Sequence, residues 1–190
     1  MKLHTSVFSA LLLLAAVTSQ SVDAQQVGAP SAMSYNGAPA GDNHVATWFA
    51  KYDAIRRGAQ MTPQERQRAD NLMSKGLSLV VPGPEKAITQ QLLVKLINKN
   101  KLAADQMKML QLYPETEQLH RGYYQYFSTA SGLFSDYLRV QSDFMARDAN
   151  GAMLAGGLMN RKQQLAALDE NNKMLDGQIR QQFGIPAYRY

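Results

Sequence analysis

The chain has 190 residues, no cysteine and a formal net charge of +5. The missing cysteine excludes disulfides, thiolate zinc sites and lipid attachment at a processed Cys, so stability has to come from packing alone. Its three histidines, with no Gly-rich phosphate loop and no Ser-elbow motif, leave most nucleophilic and metal-dependent plans without a central member.

Residues 1–24 carry a basic Lys2, an apolar run from Val7 to Val17, and Val22-Asp23-Ala24 ahead of Gln25. This is the order of a secretory signal peptide, with cleavage expected after Ala24. The apolar run is about half of the ~20 residues that would span a bilayer. No later stretch is long and apolar enough to do so. A secreted or periplasmic protein is therefore expected, and export disfavours nucleic acid as a partner. Residues 25–43, QQVGAPSAMSYNGAPAGDN, are rich in Gly, Ala, Pro and Ser without periodicity and read as a flexible leader.

From His44 to residue 190 every readable segment has helical periodicity, which predicts one all-α domain, a helical bundle ending in a long antiparallel hairpin. Val45, Trp48, Phe49, Tyr52 and Ile55 share a helical face closed by Gly58. Thr62-Pro63-Gln64-Glu65 is a helix start, with Thr as N-cap, Pro at the first helical position and Glu where a capping box needs it. Ala69, Leu72, Met73 and Leu77 carry that helix inward. Val81-Pro82-Gly83-Pro84 breaks the chain, and Pro84 opens a helix with Ile88, Leu92, Leu93, Leu96 and Ile97 on its apolar face. A separate short helix is expected over 103–112, so that 44–113 reads as a set of short basic helices and 114–190 as the hairpin.

The stretch YYQYFSTASGLFSDY, residues 123–137, is the densest run of aromatic rings in the chain. Leu119, Tyr123, Tyr126, Ala130, Leu133, Tyr137, Val140 and Phe144 follow at alternating spacings of four and three, a heptad seam. Phe127 and Phe134 widen the same stripe, and only Tyr124 is expected to face elsewhere. The run is expected to be a packed face, with a ligand groove as the alternative. After a turn at Asp148-Ala149-Asn150-Gly151, the last helix carries Leu154, Leu158, Arg161, Leu165, Leu168, Asn172, Leu175, Ile179 and Gln182 at heptad spacing. Its polar interruptions weaken the seam, Phe183 follows the drift of a 3.6-residue helix, and Gly156-Gly157 are expected to delay its start. Each arm of the hairpin over about 115–183 should be roughly 40 Å long.

Charge is unevenly spread. Over 44–113, Lys and Arg outnumber Asp and Glu by eleven to five, whereas 114–190 holds eight of each. The surplus rests on Arg56, Arg57, Arg66, Arg68, Lys95, Lys99 and Lys101. Either it is a solvated polar face, or it is a surface for an anionic partner such as an acidic envelope polymer, lipid headgroups or an acidic protein. The one candidate for metal chemistry is Glu117-x-x-His120. Di-iron bundles need two such turns and two further Glu on facing helices. Here there is one turn, so no metal, no other cofactor and no catalytic residue is expected.

MTPQERQRADNLM (61–73) resembles the L-T-x-x-Q signature of the Spy and CpxP group of periplasmic stress proteins, and LAADQMKML (102–110) looks like a degraded second copy. The resemblance implies a small exported all-helical protein, a cradle-shaped dimer and binding of unfolding clients on a basic concave surface. Met61 stands for Leu, Glu65 for Gln and Ala103 for Thr, and the resemblance covers about a quarter of the exported chain. Two functions follow: a non-catalytic binding or scaffolding protein of the cell envelope, acting through self-association or a protein partner, or a client-binding chaperone.

Overall fold

A computed structural model of the protein describes residues 44–74 and 84–189. The expected signal peptide, the leader, the break at Val81-Pro82-Gly83 and the side chains of Met73 and Leu77 lie outside the described residues. Among those described, the helices run α1 (His44–Ala59), α2 (Pro63–Ser74), α3 (Pro84–Met109), α4 (Glu117–Ser142) and α5 (Leu154–Gln182). An isolated bridge between Arg147 and Met153 is the one β contact among them. The all-α expectation holds, and none of these helices is long and apolar enough to cross a membrane.

α1 buries the face its spacing predicts, Val45, Trp48, Phe49, Tyr52 and Ile55. The Trp48 indole N–H donates to Gln111 O at 3.0 Å, tying α1 to the α3–α4 connection. α2 starts on the expected capping box: the Glu65 amide donates to Thr62 Oγ1 at 3.2 Å and the Thr62 amide to Glu65 Oε2 at 2.9 Å. Ala69 and Leu72 then point into the core.

α3 corrects the sequence reading. No separate short helix covers 103–112. One helix of 26 residues runs from Pro84 to Met109, so the basic half is not a set of short helices. The helix runs unbroken through the polar stretch Asn98-Lys99-Asn100-Lys101, where the Asn100 side chain donates back to Leu96 O at 2.8 Å. Beyond it Ala103, Ala104 and Met107 keep the apolar face going.

α3 and α4 pack antiparallel, as pairs running in opposite order show. Ser131 Oγ donates to Ile97 O and His120 Nε2 donates to Met107 O. α5 returns antiparallel to α4, with Arg161 paired to Asp136 and Asn172 against Gly122. The hairpin is therefore present, each arm being about 40 Å long. α1 and α2, joined through Gln60-Met61-Thr62, cover successive stretches of the α3–α4 pair. The core accordingly divides in two along its length. Around α1 lie Ala103, Met107, Leu119, Tyr123, Phe127 and Ile179. Around Ala69 and Leu72 of α2 lie Leu92, Leu93, Leu96, Leu133, Phe134, Tyr137, Val140, Leu154 and Leu158. Each such apolar side chain contributes about 1.5–3 kcal/mol on full burial.

The seam of α4 is largely core, with three adjustments. Phe127 and Phe134, expected at its margin, are fully inside, while the seam residue Tyr126 is half-buried. α4 ends at Ser142, because the Asp143 carboxylate accepts the Met145 amide at 2.9 Å and competes with the next turn. Phe144 thus lies beyond the helix, half-buried against the core. Tyr124 does not simply face away: it is half-buried under Lys108, whose Nζ lies 5.4 Å from its ring centre. The turn falls where expected, with Asp148 Oδ1 accepting the amides of Asn150 and Ala152 at 2.9 Å each and Gly151 at φ +81. α5 begins at Leu154, so the two glycines do not delay it. Leu154 and Leu158, anchored in the core on either side, hold that turn in place.

Candidate functional site

The seven basic residues do not form one surface. Arg56 is inside the protein, 6% exposed. Its Nη1 donates to Asp176 Oδ2 at 3.2 Å, and its guanidinium lies against the rings of Tyr188, Tyr123 and Tyr52, 4.0, 4.7 and 5.2 Å from their centres. Asp176 Oδ1 accepts Arg180 Nε at 3.0 Å, and Arg180 reaches Asp53 and the Pro186 carbonyl. Burial alone would lower the Arg180 pKa; Asp53 and Asp176 outweigh it and raise it. This network joins α1, α5 and the chain after α5. Arg56 therefore belongs to the interior and not to a basic face, because its charge is met by Asp176 and its planar group by aromatic rings.

Lys95 and Lys99 are brought together on one carboxylate. Lys95 Nζ lies 2.7 Å from Glu65 Oε1, and Lys99 Nζ lies 2.8 Å from Glu65 Oε2 and 3.0 Å from Gln60 O. Burial pushes the Glu65 carboxyl up, but the two lysines and the Thr62 amide override it and bring its pKa to about 2. These lysines fasten α2 to α3. Arg57, Arg68 and Lys101 are exposed and have no ion-pair partner among the described residues. Arg66 lies elsewhere, at the mouth of a groove.

That groove is where the aromatic run meets solvent. α1 stops at Ala59 and α2 starts at Pro63, and beside the corner between them Tyr126 of the α4 stripe is only half-covered. A cavity of about 490 Å³ opens there; of the α4 rings that border it Tyr126 is half-buried, while Tyr123, Phe127 and Phe134 are buried. Ala59, Gln60 and Met61 form its edge at the corner, Arg66 and Asp70 come from α2, and Lys162, Leu165, Ala166, Asp169 and Lys173 from α5. Tyr188 closes one end, stacked on Arg56 with its hydroxyl 3.4 Å from Gln60 Oε1.

The polar rim is mostly committed. Lys173 Nζ lies 2.8 Å from Asp169 and 2.9 Å from Glu170, which together hold its pKa above the ordinary lysine value. Burial, with Asp169 adding to it, pushes the Tyr126 phenol up to about 12. It is therefore a neutral hydroxyl at any physiological pH. Arg66 and Lys162 have no ion-pair partner among the described residues, and neither has Asp70. The lining offers aromatic faces, two uncommitted cations and one uncommitted carboxylate. It has no histidine, and no nucleophile paired with a base.

The Glu117-x-x-His120 turn is spoken for as well. Glu117 pairs with Arg121, and His120 donates to Met107 O at 2.6 Å. Among the described residues no group of His, Asp and Glu could hold a metal.

Sequence reasoning missed Asp176 and Arg180 as buried charges, and the half-buried Asp53 as the partner of Arg180. Their signal was present: Asp176 and Arg180 lie one turn apart on the face that Asn172 and Ile179 share. The groove itself had only an indirect signal, an aromatic stripe wider than one facing helix can cover. Comparison with family models, with curated proteins and with solved structures finds no match. The fold and the groove together define an all-α bundle with a preformed cavity beside the aromatic run of α4. The two short stretches quoted for the Spy and CpxP resemblance fall on α2, from its capping box almost to its end, and on the last turns of α3.

Proposed function

We propose that the protein is an exported, non-catalytic binding protein of the cell envelope, and that its binding site is the groove between α1, α2, α4 and α5. One observation carries this reading: a concave space of about 490 Å³ is lined by the half-buried Tyr126 of α4 together with Met61, Leu165 and Ala166, apolar groups that no neighbouring helix fully covers. Cavities of this size, mostly apolar with a few placed polar groups, are the ordinary form of small-molecule sites. The neutral fluorophore N-phenylnaphthylamine tests it, since its emission rises when it leaves water. Saturable binding that is lost in Ala166→Phe, a substitution at an exposed lining position, supports the reading. Binding unchanged in that variant refutes it.

A second reading is favoured by the outer face of α3, where Ile88, Val94 and Leu102 are exposed beside Lys95 and Lys101. Apolar and basic groups side by side suit a client-binding chaperone. Suppressed aggregation of an unrelated unfolding protein, lost in Val94→Ser/Leu102→Ser, supports that reading; no suppression by the unaltered protein removes it.

A further inference from the structure

We infer that the groove takes a small amphipathic anion, its apolar body on Tyr126, Met61 and Leu165 and its single anionic head held by Arg66 and Lys162. This rests on the groove being a binding site, as proposed above, and adds the class of ligand.

The argument is one of charge left over. Arg56 is satisfied by Asp176, and Lys173 by Asp169 and Glu170. Arg66 from α2 and Lys162 from α5 line the cavity without a counter-ion among the described residues, against one uncommitted carboxylate, Asp70. Two cations beside the apolar lining of Tyr126, Met61 and Leu165 favour a ligand that brings a negative charge, because a hydrogen bond to a charged group is worth more than one to a neutral group. The floor sets the rest of the ligand. Phe127 and Tyr123 brace Tyr126 from beneath, their ring centres 5.4 and 5.9 Å from its own, so that its half-buried ring, with Met61 and Leu165, is the apolar surface left to the ligand. An acidic polymer or protein surface is less well matched, because the cations free to meet it, Arg57, Arg68 and Lys101, are not part of the cavity lining.

Two fluorophores that differ in a sulfonate alone provide the test: neutral N-phenylnaphthylamine and anionic anilinonaphthalene sulfonate. The expected result is tighter binding of the sulfonate, an advantage of about tenfold that shrinks with added salt. Arg66→Gln/Lys162→Gln should abolish the advantage while the neutral probe binds as before. Arg57→Gln/Arg68→Gln/Lys101→Gln should leave it intact. Equal binding of both probes overturns the anionic class and leaves the groove reading standing. An advantage lost equally in the Arg57, Arg68 and Lys101 variant overturns it too, since the preference would then come from the general positive field. If neither probe binds, the groove reading falls and the inference with it.

Discussion

Removing the charge of Glu65 should cost about 2 kcal/mol at neutral pH, and the cost should vanish in acid. Glu65 is 7% exposed and sits on Lys95, Lys99 and the Thr62 amide. Burial works against its ionised form, but these donors win and hold the carboxyl at about 2 against an ordinary 4.5. A folded-state pKa below the unfolded one means that the contribution is fully present above pH 4.5 and is lost as the pH falls towards 2. That difference sets a ceiling of about 3 kcal/mol. Lys95 is 60% exposed, so solvent screens its share, and about 2 kcal/mol remains. Glu65→Gln keeps the volume and can still accept the Thr62 amide, which isolates the charge. Urea unfolding followed by circular dichroism, from neutral pH downwards, reads the gap between the two proteins. The gap should hold to about pH 4.5 and close steadily below it. A gap that is constant with pH, or absent at neutral pH, refutes the reasoning.

Three further outcomes are expected. Asp176→Ala removes the carboxylate that Arg56 and Arg180 share inside the protein, and should cost about 3–5 kcal/mol in chemical denaturation. Gly122→Ala would drive a Cβ into the buried Asn172 carboxamide of α5 and should cost about 1–3 kcal/mol; adding Asn172→Ala should recover most of that loss, a coupling read in a double-mutant cycle. Asp70→Asn removes the one uncommitted carboxylate of the groove lining, and should tighten binding of anilinonaphthalene sulfonate about twofold to fivefold while leaving the neutral probe alone.

The fold class, the capping box at Thr62, the turn at residues 148–151 and most of the α4 core were legible, because each rests on local chemistry or on a period that one helix imposes. The continuity of α3 was not, because polar residues at 98–101 weaken its pattern and only the bond from Asn100 to Leu96 shows why the helix survives. Arg56 was read as surface because a charged side chain is rarely fully buried unless paired. Its partner Asp176 lies 120 residues away, a separation that no local pattern spans. Asn172, one of the polar interruptions of the α5 seam, is buried, 4% exposed, against Gly122. The groove was half legible. The aromatic excess of α4 was visible, but that Tyr126 is left half-covered depends on where α1 stops and α2 begins.

The most direct test of the central claim is a methyl-resolved NMR titration of the protein with N-phenylnaphthylamine. The methyl groups of Met61, Leu165 and Ala166, which line the groove, should shift in a saturable way, with Val94 and Leu102 on the outer face of α3 unmoved. Shifts centred on Val94 and Leu102, with the groove methyls silent, would contradict the claim.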